Sequence, residues 1–266
     1  MASLNHDSRA INEPTDKVGD YNNLHSKFAQ TDLFQACLRQ VLGDDFIPTA
    51  GQYSFVGRKA LNWVTEKLLQ KGDIYYAAEI GCGSGEFATY LVKALRCSLL
   101  ATDFSPVAIE KARHNNMHPE ITYEVADFFN LPVTDNSLDA LVGFDCVNHA
   151  SSYDQLCREL SRVMKPGGRV AFTNWMKNYP LTQLINSDPL CKCLSRYGFT
   201  VDNILSIDSH LTKQFQFYGL VYQNQRLIKE TLGANIYDSL MSEATHLYQF
   251  RGSVSHFAFT ATLNDE

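Results

Sequence analysis

The sequence predicts an α/β protein built on a mostly parallel sheet with helices on both faces. Short apolar runs alternate with helical patterns from about residue 75 to residue 175, and such alternation is typical of βαβ units. A glycine-rich turn directly follows the first of these runs. The 266 residues, 45% of them hydrophobic and 20% charged, have the composition of an ordinary globular domain.

The predicted elements follow one another in a regular order. Residues 1–24 are polar and expected to be loose, so the folded domain is expected to span residues 25–266. Apolar residues at helical spacing predict two helices before the sheet, at 27–42 and 58–69. The later pattern predicts strands at 75–80, 98–102, 121–125, 138–144 and 169–174, and helices at 86–95, 106–115 and 154–164.

Charge, hydropathy and cysteine spacing narrow the classes of function. The net charge is -6 and there is no dense basic run, which argues against a nucleic-acid partner. The chain has neither a targeting pattern at its start nor an apolar run of about 18 residues. The seven cysteines lack the paired spacing of a zinc site. We therefore expect a cytoplasmic protein with free thiols, no metal and no membrane partner.

The glycine-rich turn "EIGCGSGEF" begins where the first strand ends, which is the edge at which sheets of this type bind ligands. Gly81, Gly83 and Gly85 allow a backbone to approach a ligand closely. The dinucleotide fingerprint requires a sixth-position glycine, but Glu86 stands there and its carboxylate disfavours a pyrophosphate. Glu79 suits a ligand that carries an ammonium group. The alternative is a tight turn without a ligand.

Carboxylates also follow the second and third strands. Asp103 is placed to accept hydrogen bonds from the two hydroxyls of a ribose. It could instead cap the next helix, but Ser105 and Pro106 already suit the cap and the first helical position. Asp127 could bind an exocyclic amine of a purine and Phe128 could pack on its ring. Their alternative role is a turn before the next proline.

Five stretches together carry a resemblance to a known family. In order and spacing, "AAEIGCGSGEF", "LLATDFSPVAIEKAR", "ITYEVADFFNLP", "SLDALVGFDCVNHA" and "ELSRVMKPGGRVAFTNW" are similar to the motifs of class I S-adenosylmethionine-dependent methyltransferases. The resemblance covers about 100 residues, 75–175. It implies a doubly wound, Rossmann-like sheet of seven strands in order 3214576, whose last strand is antiparallel. Two further strand-like runs, 199–208 and 253–263, fit that sheet.

The resemblance implies S-adenosylmethionine as the cofactor and assigns roles to residues of the motifs. The glycines, Cys82 and Glu79 would surround the methionine part. Asp103 would hold the ribose, while Phe104, Phe128 and Asp127 would contact the adenine. Further candidates are the backbone at Phe144 and, in "AGQYSFVG" before the first strand, the residues Tyr53 and Ser54. That segment could equally be only a turn that leads into a helix.

The family transfers a methyl group to an N, O or C nucleophile. His149 lies just beyond the fourth strand and is the candidate general base, with Asn148 as a group that could orient the acceptor. His149 could instead cap a helix or bind a carbonyl group. The other histidines near strand ends, His210 and His256, show no partner in the sequence and are given no role.

The acceptor is expected to be a small apolar or aromatic metabolite, as in natural-product biosynthesis. The place after the fourth strand lacks the NPPY or DPPY motif of nucleic-acid amino methyltransferases. The segment 209–252 predicts helices rich in aromatic residues that could form a lid over the strand ends. Phe217, Tyr218 and Tyr222 are the candidate substrate contacts, although aromatic residues of this segment could merely pack it onto the sheet.

Two alternatives remain open at the level of sequence. A protein of the same fold could bind S-adenosylmethionine without methylating, either as a rearrangement or cyclisation enzyme or as a regulatory partner. A nicotinamide-dependent oxidoreductase is disfavoured by Glu86 and by the antiparallel last strand. The substrate, the acceptor atom and the oligomeric state are not determined by the sequence.

Overall fold

A seven-stranded sheet forms the centre of the protein. The computed structural model describes residues 32–47, 54–207 and 209–265, so the predicted loose segment 1–24 and Tyr53 lie outside the described residues. The strands are β1 (Tyr76–Ile80), β2 (Ser98–Asp103), β3 (Ile121–Val125), β4 (Leu138–Phe144), β5 (Met164–Lys177), β6 (Phe199–Ser206) and β7 (Val254–Leu263).

The strand order is β3-β2-β1-β4-β5-β7-β6, which confirms the predicted sheet. The first five strands pair in parallel, whereas β7 is antiparallel to both β5 and β6. The pairing of β1 with β4 sets Ile80 beside Gly143. The pairing of β5 with β7 sets Trp175 beside His256. Because β7 runs antiparallel, its first residues reach the edge at which β1, β4 and β5 end.

The helices predicted with bounds agree with the described ones to within a few residues. The two helices over 181–196 were not predicted with bounds, and the segment 209–252 was predicted only as helical. The described helices are α1 (Asp32–Leu42), α2 (Arg58–Leu69), α3 (Ala88–Leu95), α4 (Pro106–Asn115), α5 (Tyr153–Val163), α6 (Leu181–Ser187), α7 (Pro189–Arg196), α8 (Ser209–Gln223), α9 (Gln225–Leu232) and α10 (Ala234–Gln249). The start predicted for the first helix, residues 27–31, lies outside the described residues.

Alternating strand residues supply the two faces of the sheet. Ala77 and Val142 face one apolar cluster with helices α2 and α3, while Ala78 and Leu141 face a second with α5 and α7. Both clusters consist of buried apolar side chains, most of them aliphatic, together with aromatic ones. The sheet is therefore covered on both sides, as a parallel sheet requires.

The helices of 209–252 form a third apolar cluster with α1 and do not simply rest on the sheet. Phe217 is 1% exposed, and its ring centroid lies 4.7 Å from that of Phe34 and 5.4 Å from that of Phe55. Tyr218 is also buried, whereas Tyr222 is 61% exposed. Two of the three expected substrate contacts thus pack inside this cluster.

Within the described ranges, no helix combines the length and the hydrophobicity needed to cross a bilayer. The cysteines are all free thiols, and six of the seven are buried. No group of three or more metal-binding side chains converges among the described residues.

The packing of Phe217 predicts a large effect on stability. Phe217→Ala should lower the free energy of unfolding by about 3–5 kcal/mol, because it leaves a cavity against Phe34 and Phe55. Tyr222→Ala, on the same helix but exposed, should change it by less than about 0.5 kcal/mol. Urea denaturation of both variants measures the difference. Equal, small effects would mean that Phe217 does not belong to the core.

Candidate functional site

Three glycines shape the turn after β1, and each has a positive φ: Gly81 at 65°, Gly83 at 56° and Gly85 at 81°. A Cβ atom on Gly81 would lie 2.5 Å from the Cβ of Cys146, and one on Gly85 would lie 2.8 Å from the hydroxyl of Tyr123. Glycine is therefore required at both positions for conformation as well as for space. The Cys82 amide donates to the carbonyl of Thr102 at 2.9 Å, which holds the turn against β2.

Asp103 lies where β2 ends and fastens the glycine turn. Its side chain is 6% exposed and accepts hydrogen bonds from the amides of Gly83 and Ser105, each at 2.9 Å. Ser105 caps α4 by accepting from the Ala108 amide at 3.1 Å, and Pro106 opens the helix. The predicted cap is confirmed, since Ser105, and not Asp103, caps this helix. The role of Asp103 toward a ribose stays a prediction.

Glu79 and Glu86 bring two further acids to the same turn. Both are buried, at 2% and 7% exposure. Glu79 Oε2 and Glu86 Oε1 have no hydrogen-bond partner among the described residues. Buried polar atoms in this condition are uncommon and destabilising, because they have lost water without gaining a partner. The two orphaned oxygens indicate room for a group that donates hydrogen bonds or carries positive charge.

The raised pKa values of these acids show that the buried turn disfavours their charged forms. Burial, together with the charges of Glu86 and Asp103, raises the pKa of Glu79 well above its usual range. Burial, followed by the charge of Asp103, raises the pKa of Glu86 to about 8 although backbone amides oppose this shift. Burial also raises the pKa of Asp103. A cation bound at this acid cluster (Glu79, Glu86 and Asp103) would favour the ionised form of all three.

The residues expected to contact a purine follow strands β2 and β3. Phe104 is 36% exposed and follows β2. Asp127 is exposed and accepts from the amide of Phe129 at 2.9 Å. The ring of Phe128 is half-buried and lies 4.8 Å from that of Phe129. Asp127 thus forms a local turn, as the alternative anticipated, and its role toward a purine stays a prediction.

The turn after β4 carries the predicted catalytic pair. Asn148 and His149 lie in the short helical turn Val147–His149, and both side chains are exposed. Phe144 is buried with its ring 5.1 Å from that of Phe87, so its side chain belongs to the core, and the role of its backbone stays a prediction. Cys146 donates from Sγ to the carbonyl of Ile80 at 3.2 Å, which joins this turn to β1. The roles of Asn148 and His149 stay predictions.

Asp145 is the principal site residue that the sequence analysis missed. It has a left-handed backbone, with φ at 52°, which is uncommon for a residue other than glycine. Its Oδ1 lies 2.6 Å from Nε2 of His256 and accepts from the Thr173 hydroxyl at 2.8 Å. Its Oδ2 accepts from the Ser54 hydroxyl at 3.1 Å. Ser54, predicted as a cofactor contact, is therefore bound to Asp145.

The pKa of Asp145 reflects these partners. Burial by itself raises the pKa, but the charge and hydrogen bond of His256, together with the hydroxyls of Thr173 and Ser54, lower it to about 2. Asp145 is therefore ionised at neutral pH. Since it directly follows β4, the rule that ligands bind beyond strand ends could have singled it out.

His256 and His210 meet next to Asp145, although the sequence showed no partner for either. His256 is fully buried, and its ring stacks on that of Trp175 with centroids 4.2 Å apart and planes 5° apart. The ring of His210 lies 5.3 Å from that of His256. His256 lies near the start of β7 and His210 near the start of α8, so only the antiparallel arrangement of β7 brings them to the site.

Comparison with known proteins agrees with this geometry. A family model described as a methyltransferase domain matches residues 78–172. The chain is 28% identical over 118 residues to the methyltransferase GfsG of Streptomyces halstedii, and the match covers 42% of each protein. The matched segment thus spans less than half of the length of this relative.

Two solved structures share the fold. One is that of the cyclase SpnF, with a TM-score of 0.68, 18% identity, and coverage of 91% of this chain and 97% of that chain. Another is that of a phosphoethanolamine N-methyltransferase of Haemonchus contortus in complex with S-adenosyl-L-methionine. Its TM-score is 0.65 at 18% identity, and the match covers 92% of this chain and 60% of that chain. At this identity the likeness concerns the fold.

The buried acid cluster predicts an unusual dependence of stability on pH. Glu86 binds more protons in the folded than in the unfolded chain, so its contribution to stability falls as pH rises from about 4.3, the unfolded pKa, toward a folded pKa of about 8. Glu86→Gln should remove this loss. Relative to the original chain, the variant should gain on the order of a few kcal/mol between pH 5 and pH 8.

Chemical denaturation at a series of pH values tests this expectation. Glu110→Gln provides the control, since Glu110 is an exposed acid on α4. It should leave the pH profile of the unfolding free energy unchanged. A Glu86→Gln profile parallel to that of the original chain would contradict the raised pKa.

Proposed function

We propose that this chain, whose residues 78–172 match a methyltransferase domain, is of the class I, S-adenosylmethionine-dependent type and transfers a methyl group to a small molecule. The acceptor is an N, O or C nucleophile of an apolar or aromatic metabolite. The observation that carries the proposal is the acid cluster at the glycine turn, where buried oxygens of Glu79 and Glu86 have no partner among the described residues.

The acid cluster fits a cationic ligand and opposes an anionic one. S-adenosylmethionine carries an ammonium group and a sulfonium centre, and both are stabilised by nearby carboxylates. A pyrophosphate at the same turn would meet two buried acids, which supports this cofactor over NAD. When bound, the cofactor supplies an electrophilic methyl group that an aligned nucleophile displaces from sulfur.

In this proposal each strand end holds one part of the cofactor. The methionine part lies against Gly81, Gly83 and Gly85, with Cys82 and Glu79 beside it and the backbone of Phe144 facing it. Asp103 accepts from the ribose hydroxyls, and its fixed orientation by the Gly83 and Ser105 amides supports that role. Phe104, Phe128 and Asp127 contact the adenine, and Tyr53 and Ser54 close over the carboxylate.

The acceptor in this proposal lies between the ends of β4 and β5 and the helices of 209–252. His149 takes a proton from the acceptor and Asn148 orients it. Asp145, held in place by His256, Thr173 and Ser54, separates the cofactor side from the acceptor side. Tyr222 is accessible to a substrate as it stands. Phe217 and Tyr218 are buried, so contact through those two requires α8 to repack.

A second candidate function is cofactor binding without methylation. The structural likeness to the cyclase SpnF supports this candidate, because a cyclase shares the fold of the methyltransferases. Incubation with S-adenosylmethionine labelled in its methyl group and with a metabolite library separates the two functions. Label in an acceptor supports methylation, whereas cofactor binding without any transfer supports the second function.

Cofactor binding should depend on Asp103 and on Glu79, each through a different part of the cofactor. Asp103→Ala should weaken binding of S-adenosylhomocysteine by about 1–3 kcal/mol, because the ribose hydroxyls lose their acceptor. Glu79→Gln should weaken binding of S-adenosylmethionine by losing an ionic partner of its ammonium group. Isothermal titration calorimetry measures both, with Glu110→Gln as the exposed control. An unchanged dissociation constant for Asp103→Ala would refute the ribose assignment, and tight binding of NAD alone would refute the cofactor.

Turnover of an acceptor found in the library should depend on His149. His149→Ala should lower kcat by about 10²-fold or more, which is the usual contribution of a general base. Its dissociation constant for S-adenosylhomocysteine should not change. The pH profile of kcat measures the effect, and full turnover of the variant at every pH would remove His149 as the base.

A further inference from the structure

The inner face of α8 changes from polar to apolar along its length. His210 and Gln214 lie one turn apart on this face and are 4% and 8% exposed, and Phe217 and Tyr218 continue the face toward α1. The start of α8 is tied to β7: the Ile207 amide donates to the His256 carbonyl at 2.8 Å, and the His210 amide donates to the Ile207 carbonyl at 2.9 Å. The polar end of α8 therefore lies beside the Asp145–His256 pair.

Two atoms at this polar end are not hydrogen-bonded. His210 Nδ1 and Gln214 Oε1 are buried and have no partner among the described residues. Such atoms destabilise a fold unless something else supplies the bond. Neither belongs to the acid cluster at the glycine turn. A series of contacts joins the two regions. Gly81 of the turn packs on Cys146, which follows Asp145 in the chain. Asp145 binds His256, and the ring of His256 contacts that of His210.

The charged groups around these two atoms are already paired. Asp145 is bound to His256, Thr173 and Ser54, and Lys213 pairs with Asp45 at 2.7 Å. Burial, followed by the charge of His256, lowers the pKa of His210 to about 4, against an opposing effect of Asp145. His210 is therefore uncharged at neutral pH, as is Gln214.

We propose that His210 and Gln214 form a subsite that binds an uncharged hydroxyl group of the acceptor molecule. In the tautomer of His210 that carries its proton on Nδ1, this nitrogen donates to a hydroxyl oxygen while the hydroxyl donates to Gln214 Oε1, so one group satisfies both atoms. The proposal rests on the proposed function only in calling this ligand the acceptor. It specifies a substrate class, hydroxylated and uncharged at the subsite, and does not specify which atom is methylated.

The same surroundings select against charged groups. A carboxylate would meet the oxygen of Gln214 and the nearby carboxylate of Asp145. An ammonium group would lose its water with no unpaired carboxylate to replace it, which is costly in a buried site. Amines and acids of the same skeleton should therefore bind more weakly than the alcohol.

Stability supplies a test that needs neither cofactor nor acceptor. Gln214→Leu removes an unsatisfied buried oxygen, so the variant should melt at the same temperature as the original chain or higher. Gln216→Leu is the matched control, because Gln216 is exposed on the same helix. Gln214→Met serves if Gln214→Leu does not fold. Melting well below the control for both Gln214 variants would mean that this side chain is structurally satisfied, which would overturn the subsite.

Binding of matched probes tests the substrate class. Saturation-transfer NMR on the full chain, with S-adenosylhomocysteine added, should detect 2-phenylethanol but give weaker signals for 2-phenylethylamine and phenylacetate. Gln214→Leu should weaken alcohol binding about tenfold, which corresponds to the loss of one hydrogen bond, and Gln216→Leu should not. Equal binding of amine and alcohol, undetectable alcohol binding, or full binding by Gln214→Leu would each overturn the proposal.

The two proposals fail in different ways. If calorimetry finds no binding of S-adenosylhomocysteine to the original chain, the proposed function fails. The melting and alcohol measurements can still be made on the chain alone, and they decide the subsite. If the cofactor binds but the alcohol does not, only the subsite fails.

Discussion

The carboxylate of Asp145 joins four separate parts of the chain at the edge where the parallel strands end. It follows β4, accepts from Thr173 on β5, pairs with His256 on β7, and accepts from Ser54 ahead of α2. Its left-handed backbone costs about 1–3 kcal/mol in a residue other than glycine. The hydrogen bonds that fix the carboxylate offset that cost. The glycine turn depends on Asp145 as well, because the turn packs on Cys146, which directly follows Asp145 in the chain.

Two polar regions of opposite character lie on the two sides of Asp145. On one side the acid cluster is buried, and burial together with neighbouring carboxylates raises the pKa of Glu79 and of Glu86. On the other side His210 and Gln214 are neutral, and the nearby charges are paired. In the proposed reaction a cationic donor lies on the acidic side and becomes neutral as its methyl group leaves. An uncharged acceptor lies on the neutral side, so each partner meets the environment that suits its charge.

Much of the fold and part of the site could be predicted from the sequence because these features depend on nearby residues. The alternation of strands and helices follows from apolar spacing. The positive φ angles of the glycine turn could be predicted from its three glycines, because glycine adopts such angles without a steric cost. Asp103 could be distinguished from a helix cap because Ser105 and Pro106, two and three positions further along the chain, suit the cap and the first helical position. The order of the seven strands followed from the resemblance of five short motifs and agrees with the structure.

Contacts between distant segments were decided by the tertiary structure alone. The register of β5 with β7 sets Trp175 beside His256, and no local pattern near residue 256 encodes that pairing. Phe217 and Tyr218 have the same helical spacing whether they line a pocket or a core, and packing against Phe34 and Phe55 decided for the core. The sequence by itself determined the fold class and the glycine turn, through short-range spacing. Only the folded chain determined which histidine binds Asp145, because strand register brings together two residues that are 111 positions apart.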